Sequence, residues 1–334
     1  MVLVTGGTGF LGAYIIKELI SKGYAVRAIR RGLTVPYFID SSILSQVQWV
    51  EGDILDVVSL EEAMTGVESV IHAAGRVSYK PSDSALLYQV NIEGTANVVN
   101  AALAQNISKF VHISSIASIG RKGDGTVVDE DKQWEDNKHT TPYAVSKYQG
   151  ELEVWRGIAE GLPGVILNPS VILGYGNWNN SSAAIFKQVY NQFRWYTNGI
   201  TGFVDVEDTA RAAVLLMESS INGERYIING DNWSFRQLFN AIADGFGKKR
   251  PSTEATPFLS GIAWRLEKVK SWFGADPLLN RETAKVGLSA TRFSNKKILK
   301  DLPGFQFTPL ETSITNACKQ YERYLSILPA ADKR

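Results

Sequence analysis

Tyr143 and Lys147 stand four residues apart in the stretch YAVSK. On a helix that spacing is about one turn, so the two side chains share a face. A phenol with an ordinary pKa of about 10 gives up its proton poorly at neutral pH unless a neighbour stabilises the phenolate. A nearby ammonium does so by Coulomb attraction. Alone, the pair equally fits an amphipathic helix surface. Upstream, the strand-like run FVHIS ends in Ser114 and Ser115, and a hydroxyl there can hydrogen-bond a carbonyl oxygen. Serine, tyrosine and lysine brought together would carry acid–base chemistry on a carbonyl or an alcohol.

Those residues need elements to position them. The first half alternates short β-branched runs with longer amphipathic segments: MVLVT then GFLGAYIIKELISKG, YAVRAI, VQWVEGD then SLEEAMTG, SVIHAA then SALLYQVNIEGTANVVNAALAQ, KFVHISS then TPYAVSKYQGELEVWRGIAEG, and GVILNPS. The apolar runs are continuous rather than alternating, as for strands covered on both faces. Strand, helix, strand in this rhythm predicts an α/β fold, a Rossmann-type doubly wound parallel sheet with right-handed crossovers. Ligands bind such sheets at the carboxyl ends of the strands. After about residue 170 the rhythm breaks. The expected division is residues 1–170 plus about 203–231 for the dinucleotide-binding domain, and about 171–202 plus 232–334 for a smaller, mostly helical substrate lobe.

TGGTGFLG, residues 5–12, follows the first strand and opens the first helix. Gly7, Gly9 and Gly12 fit GxGxxG, while Gly6, Gly9 and Gly12 fit GxxGxxG. Either pattern puts bare backbone where a pyrophosphate approaches the free N–H groups of a helix N-terminus. The second strand reads VRAIRRG, with no acid at its end. An acid there would bind the ribose 2′-hydroxyl of NAD. Arg30 and Arg31 stand in its place, and a guanidinium suits the 2′-phosphate of NADP, so NADP is expected over NAD. Solvated surface arginines are the plainer alternative.

Composition narrows the classes. With 334 residues, 44% of them hydrophobic, the chain can bury a real core. Lys+Arg of 35 against Asp+Glu of 34 leaves no basic field for nucleic acid. Cys318 is the only cysteine, which excludes an intramolecular disulfide and fits a reducing compartment. The histidines His72, His112 and His139 lack metal-ligand spacing, so no metal is expected. MVLVTGG enters a strand pattern with no charged region before an apolar run, and no apolar run is long enough for a membrane span. The expectation is a soluble, cytoplasmic protein.

The chain resembles the extended short-chain dehydrogenases/reductases, the NAD-dependent epimerase/dehydratase superfamily. The resemblance rests on TGGTGFLG, EGDILD (51–56), HAAG (72–75), NIEGT (91–95), VHISSIASIG (111–120), PYAVSK (142–147) and NPSVILG (168–174), all in the family's order. It implies that Gly6, Gly9, Phe10, Leu11 and Gly12, with Thr8 in the same loop, hold the pyrophosphate. Asp53 and Ile54 would flank the adenine. Ala73 and Ala74 would line the nicotinamide side through their backbone, Asn91 would help fix the end of the crossover near the cofactor, Pro169 would sit against the carboxamide end, and Ser114 would also contact the cofactor. Ser115 would polarise the substrate oxygen and Tyr143 would be the acid/base. Lys147 would hold the nicotinamide ribose and lower the tyrosine pKa. Asp53 as a helix cap, Asn91 as a turn residue and Pro169 as a strand end are the structural alternatives.

Nucleotide-sugar members of the family bind a diphosphate through an arginine in an Arg-Asp-Tyr/Phe-Val/Ile-His-Val stretch. The matching stretch here is TGFVDV, with Thr201 in the arginine's place and Asp205 in the histidine's. A second arginine, in Arg-Pro-Gly-Asp, has no counterpart, although Arg194, Arg281 or Arg292 could substitute. The lobe instead carries Trp178, Phe186, Tyr190, Phe193, Trp195 and Tyr196, which suit a flat ligand, a core or a dimer face. The pattern is most similar to the dihydroflavonol-reductase-like and 3β-hydroxysteroid-dehydrogenase-like branch. That likeness implies hydride transfer between the nicotinamide and a small-molecule carbonyl or alcohol substrate. A nucleotide-sugar epimerase or dehydratase and a non-catalytic dinucleotide-binding protein are the alternatives. Relatives often form homodimers through the helices around residues 84–105 and 143–160, and both carry apolar positions beyond one stripe here.

Overall fold

A computed structural model describes residues 1–121, 126–135, 140–255 and 289–327. His139 and Arg281 lie outside the described residues.

Strands β1 (Val2–Thr5), β2 (Val26–Arg30), β3 (Gln48–Glu51), β4 (Ser69–His72) and β5 (Lys109–Ile113) follow one another with helices between them. After the short β6 (Val127–Val128) come β7 (Gly164–Pro169), β8 (Val171–Leu173), β9 (Trp195–Tyr196), β10 (Ile200–Asp205), β11 (Glu224–Ile228) and β12 (Asp231–Ser234). Seven of these form one sheet in the order β11-β7-β5-β4-β1-β2-β3. Every pairing in it is parallel. The order reverses direction at β1 and β4, which opens a crevice beyond their carboxyl ends.

Alternation along the strands divides the core. Val2, Val4, Ile71, Val111, Val165 and Leu167 face the layer containing helices Phe10–Ser21 and Val206–Glu218. Leu3, Val70, Phe110 and Ile166 face the layer of Val57–Met64, Gly94–Ala104 and Pro142–Ala159. With both faces covered, the strands read as near-continuous apolar runs. Helix Val206–Glu218 returns to the large sheet, where Ala210, Ala212 and Ala213 are buried and allow close approach.

β10 belongs to a second sheet, ordered β12-β10-β8, in which it pairs antiparallel to β12 and parallel to β8. This sheet packs on helices Phe235–Gly245 and Leu310–Ile327 around a separate core of Trp178, Phe186, Phe203, Leu238, Ile314 and Tyr321. Cys318 is fully buried there, and burial pushes its thiol up to about 12, away from thiolate chemistry. Among the described residues no helix is long and apolar enough to cross a membrane.

Candidate active site

The glycine loop lies at the reversal point. Gly6 has φ +72°, and a Cβ on it would stand 2.6 Å from the Ala74 nitrogen and 2.7 Å from the Ala73 carbonyl carbon and oxygen. A Cβ on Gly12 would come within 2.1 Å of the Gly6 oxygen. Gly9 N–H donates to that same oxygen at 2.9 Å, which closes the turn. Gly9 is also the N-cap of Phe10–Ser21, and no side chain caps this helix. The first-turn amides of Phe10, Leu11 and Gly12 therefore keep their donors for an anion. A bare-backbone cradle with an uncapped helix start fits a dinucleotide pyrophosphate. Thr8 and Gly9 are exposed at its rim.

Ser115 follows β5 and caps the short helix Ile116–Ile119, its hydroxyl accepting from Ala117 N–H at 3.1 Å. The same hydroxyl lies beside the Tyr143 phenol and favours its ionised form. Tyr143 stands in the first turn of Pro142–Ala159, which Pro142 and the Thr141 cap initiate. Its ring meets Tyr79 edge-on at 5.6 Å. One turn further on, the Lys147 ammonium is buried and donates to the Ile113 carbonyl at 3.0 Å. It lies 3.7 Å from where a Gly75 Cβ would be. Burial pulls Lys147 down to about 8, with Glu151 opposing. The phenol is pushed above its ordinary pKa by burial and then by Tyr79, with the Ser115 hydroxyl opposing. Lys147 is not among the groups acting on the phenol, contrary to the sequence expectation, because its ammonium turns into the sheet toward Ile113.

The remaining candidates fall into several groups. Asp53 accepts from Leu55 N–H at 3.1 Å in a local turn, while Asp56, not Asp53, caps the next helix. Ile54 is buried with its side chain against Gly94. Arg31 is exposed and 3.8 Å from Asp53, whereas Arg30 lies over the Trp49 ring at 5.6 Å. Asn91, in the π-turn Gln89–Glu93, accepts from Arg76 N–H at 2.7 Å and donates to Ser146 at 2.9 Å. It fixes the loop after β4 to the tyrosine-bearing helix. The Ser114 hydroxyl is buried and donates to Glu151 at 2.7 Å. Pro169 ends β7, in register with Ile228 of β11.

On the substrate side, Thr201 is fully buried and its hydroxyl has no protein partner. No cation stands at that position. Trp178 and Phe186 belong to the lobe's core rather than to an open pocket. Among the described residues no cluster of His, Cys, Asp and Glu could hold a metal. His72 and His112 stack at 5.1 Å beneath the site instead. His72 bridges Thr5 and Thr95, and burial pushes it down to about 3.

Sequence reasoning passed over Tyr79 and Glu151. Tyr79 lies in a polar loop with no periodicity to mark it. Glu151 is one turn beyond Lys147 on the same face, and that spacing was a signal available for reading.

The NAD dependent epimerase/dehydratase family model matches residues 2–229. A Synechocystis protein with a provisional dihydroflavonol 4-reductase name is 29% identical over 96% of this chain and 94% of its own length. A rice (Oryza sativa subsp. japonica) protein named cinnamoyl-CoA reductase 1 is 28% identical over 100% of this chain and 94% of its own. The crystal structure of gox2253 superposes with a TM-score of 0.81 at 28% identity, covering 97% of this chain and 98% of that one.

Proposed function

The chain belongs to the NAD dependent epimerase/dehydratase family, and we propose that within it the protein is an NADP-dependent reductase of a carbonyl substrate, or a dehydrogenase of the corresponding alcohol. The observation that carries this reading is the Ser115 hydroxyl set beside the Tyr143 phenol at the carboxyl end of β5, with the Lys147 ammonium one turn away. The relatives named as dihydroflavonol and cinnamoyl-CoA reductases support it, as does a buried threonine where nucleotide-sugar enzymes carry an arginine. The proposal takes residues 1–170 with helix Val206–Glu218 and β11 as the dinucleotide-binding part; the ends of the expected 203–231 segment lie in β10 and β12 of the second sheet.

A bound reduced nicotinamide supplies hydride. The Gly6–Gly12 cradle holds the pyrophosphate, and Arg31 takes the 2′-phosphate. Ser115 and Tyr143 hydrogen-bond the carbonyl oxygen and orient it. Burial keeps the phenol protonated, so Tyr143 enters the reaction as the donor and releases its proton as charge develops on that oxygen. Lys147 orients the ribose.

The test is fluorescence titration with NADPH and NADH, then a carbonyl panel of dihydroflavonols, hydroxycinnamoyl thioesters, flat aromatic ketones, steroids and short aldehydes. NADPH should bind more tightly and be consumed. Tyr143→Phe should lower turnover by about 10²-fold or more with NADPH affinity unchanged. Full activity in that variant would refute the assignment. A tightly held, non-exchanging NAD with no net turnover would point to an epimerase or dehydratase.

A further inference from the structure

Glu151 is 1% exposed and lies beneath the site on the helix that carries Tyr143 and Lys147. Its Oε2 accepts from Ser114 Oγ at 2.7 Å, Ser118 Oγ at 2.6 Å and Asn168 Nδ2 at 2.7 Å. Its Oε1 faces Arg225 Nη1 at 3.2 Å and, more loosely, Trp155 Nε1 at 3.4 Å. Every neighbour on both oxygens can donate. An amide in this place must turn its NH₂ either toward Ser114, Ser118 and Asn168 or toward Arg225 and Trp155, so only an acceptor-only group satisfies the pocket.

These donors belong to the frame of Ser115. Ser118 Oγ lies 2.7 Å from the Ser115 carbonyl oxygen, and Asn168 Nδ2 lies 3.2 Å from it. Ser114 immediately precedes Ser115. Arg225 comes from β11 and also donates to the carbonyls of Glu130 and Lys132. One carboxylate thus joins the carboxyl ends of β5 and β7, and the start of β11, to the helix bearing the phenol and the ammonium.

Resting on the reading of Ser115, Tyr143 and Lys147 as the reaction site, we propose that Glu151 is its positioning residue: its carboxylate locks the Ser115 turn in register with the helix that carries Tyr143 and Lys147. Glu151 touches no reacting atom. Its charge also acts on Lys147 one turn away, where it favours the ammonium against burial. The other titratable groups facing Lys147 are His72 from β4 and His112 from β5, and burial holds both neutral. Arg225 is the cation facing Glu151.

The test uses the full chain as wild type, Glu151→Gln, Glu151→Asp, Ser118→Ala and Tyr143→Phe. Two readouts are taken: kcat and KM with NADPH and the best carbonyl of the panel, and the Lys147 titration midpoint by isotope-labelled lysine NMR, its signal identified by its loss in Lys147→Arg. The second readout needs no substrate. Glu151→Gln should lower kcat about tenfold or more while KM for NADPH changes less than about threefold, and should move the Lys147 midpoint down by about one pH unit. Glu151→Asp should keep the midpoint and recover part of kcat. Ser118→Ala should lower kcat modestly with the midpoint unmoved. A purely structural role would lower the melting temperature without shifting the midpoint. Wild-type kcat together with an unmoved midpoint in Glu151→Gln overturns the inference. If that variant does not fold, wild-type kcat in both Glu151→Asp and Ser118→Ala overturns it. Activity retained in Tyr143→Phe is a different failure, that of the site reading itself.

Discussion

The ammonium of Lys147 donates to the carbonyl oxygen of Ile113 at 3.0 Å, two residues before Ser115. That bond joins the tyrosine-bearing helix to the end of the central strand, and it holds the lysine amino group in the interior. Burial lowers Lys147 from 10.5 to about 8 in the folded chain. Between those values the unfolded chain binds the proton and the folded chain does not, so stability rises with pH across that window. Below about pH 8 the full cost applies, about 3 kcal/mol for a shift of this size. Urea unfolding of wild type and Lys147→Met without cofactor should show wild type gaining on the variant from about pH 8 to about pH 10. A constant difference between them would contradict the burial argument.

Gly12→Ala should abolish dinucleotide binding. The added methyl would lie 2.1 Å from the Gly6 carbonyl oxygen, the atom that also accepts from Gly9. Relief requires the turn to open, which displaces the first-turn amides. A rise of about 100-fold in NADPH Kd is expected, with a stability loss of about 2 kcal/mol. Gly161→Ala is the control. That residue has φ +105° with nothing within 4 Å of an added Cβ. It should cost about 1 kcal/mol and leave NADPH affinity unchanged, as read by fluorescence titration.

Much of the frame was legible because its signals are local. Continuous apolar runs between amphipathic stretches mark β1, β2, β4, β5 and β7, and the glycine spacing marks a turn that only glycine fits. Ser115, Tyr143 and Lys147 were found from a helical spacing and a strand end. What escaped depends on distant partners. β10 reads as a short strand entering a helix, but its place in a second sheet with β8 and β12 depends on partners some way off in sequence. Glu151 looks like one more acid on a polar helix face until Arg225, 74 positions away, is brought against it. Ser114 and Ser115 are indistinguishable as letters, yet the turn sends one hydroxyl to Glu151 and the other to Tyr143. Lys147 shares a face with Tyr143, but its reach toward Ile113 could not be read from spacing.

Arg31→Ala should weaken NADPH binding about tenfold or more and leave NADH binding within about twofold. The guanidinium is 74% exposed and its nearest carboxylate, Asp53, is 3.8 Å away, too loose a pair to hold it from a phosphate. Arg30 is less free because it lies over Trp49. Arg30→Ala should therefore affect both dinucleotides more evenly. Parallel titrations with the two cofactors read the difference, and equal losses for NADPH and NADH in Arg31→Ala would remove the basis for NADP preference.

Phe186→Ala separates core from pocket among the lobe's aromatic residues. Phe186 is fully buried, meeting Phe246 edge-on at 6.4 Å and Tyr321 at 5.3 Å. Truncation removes a ring from a packed interior and leaves a cavity, at a cost of about 3–5 kcal/mol. NADPH affinity should be unchanged below the unfolding transition, because the glycine cradle lies in a different core. A lining residue of a substrate pocket would behave in the opposite way, raising KM while stability changed little. Chemical denaturation combined with steady-state kinetics on this one variant therefore decides which role the aromatic cluster has, and a stable protein with an altered KM would place the substrate among these rings.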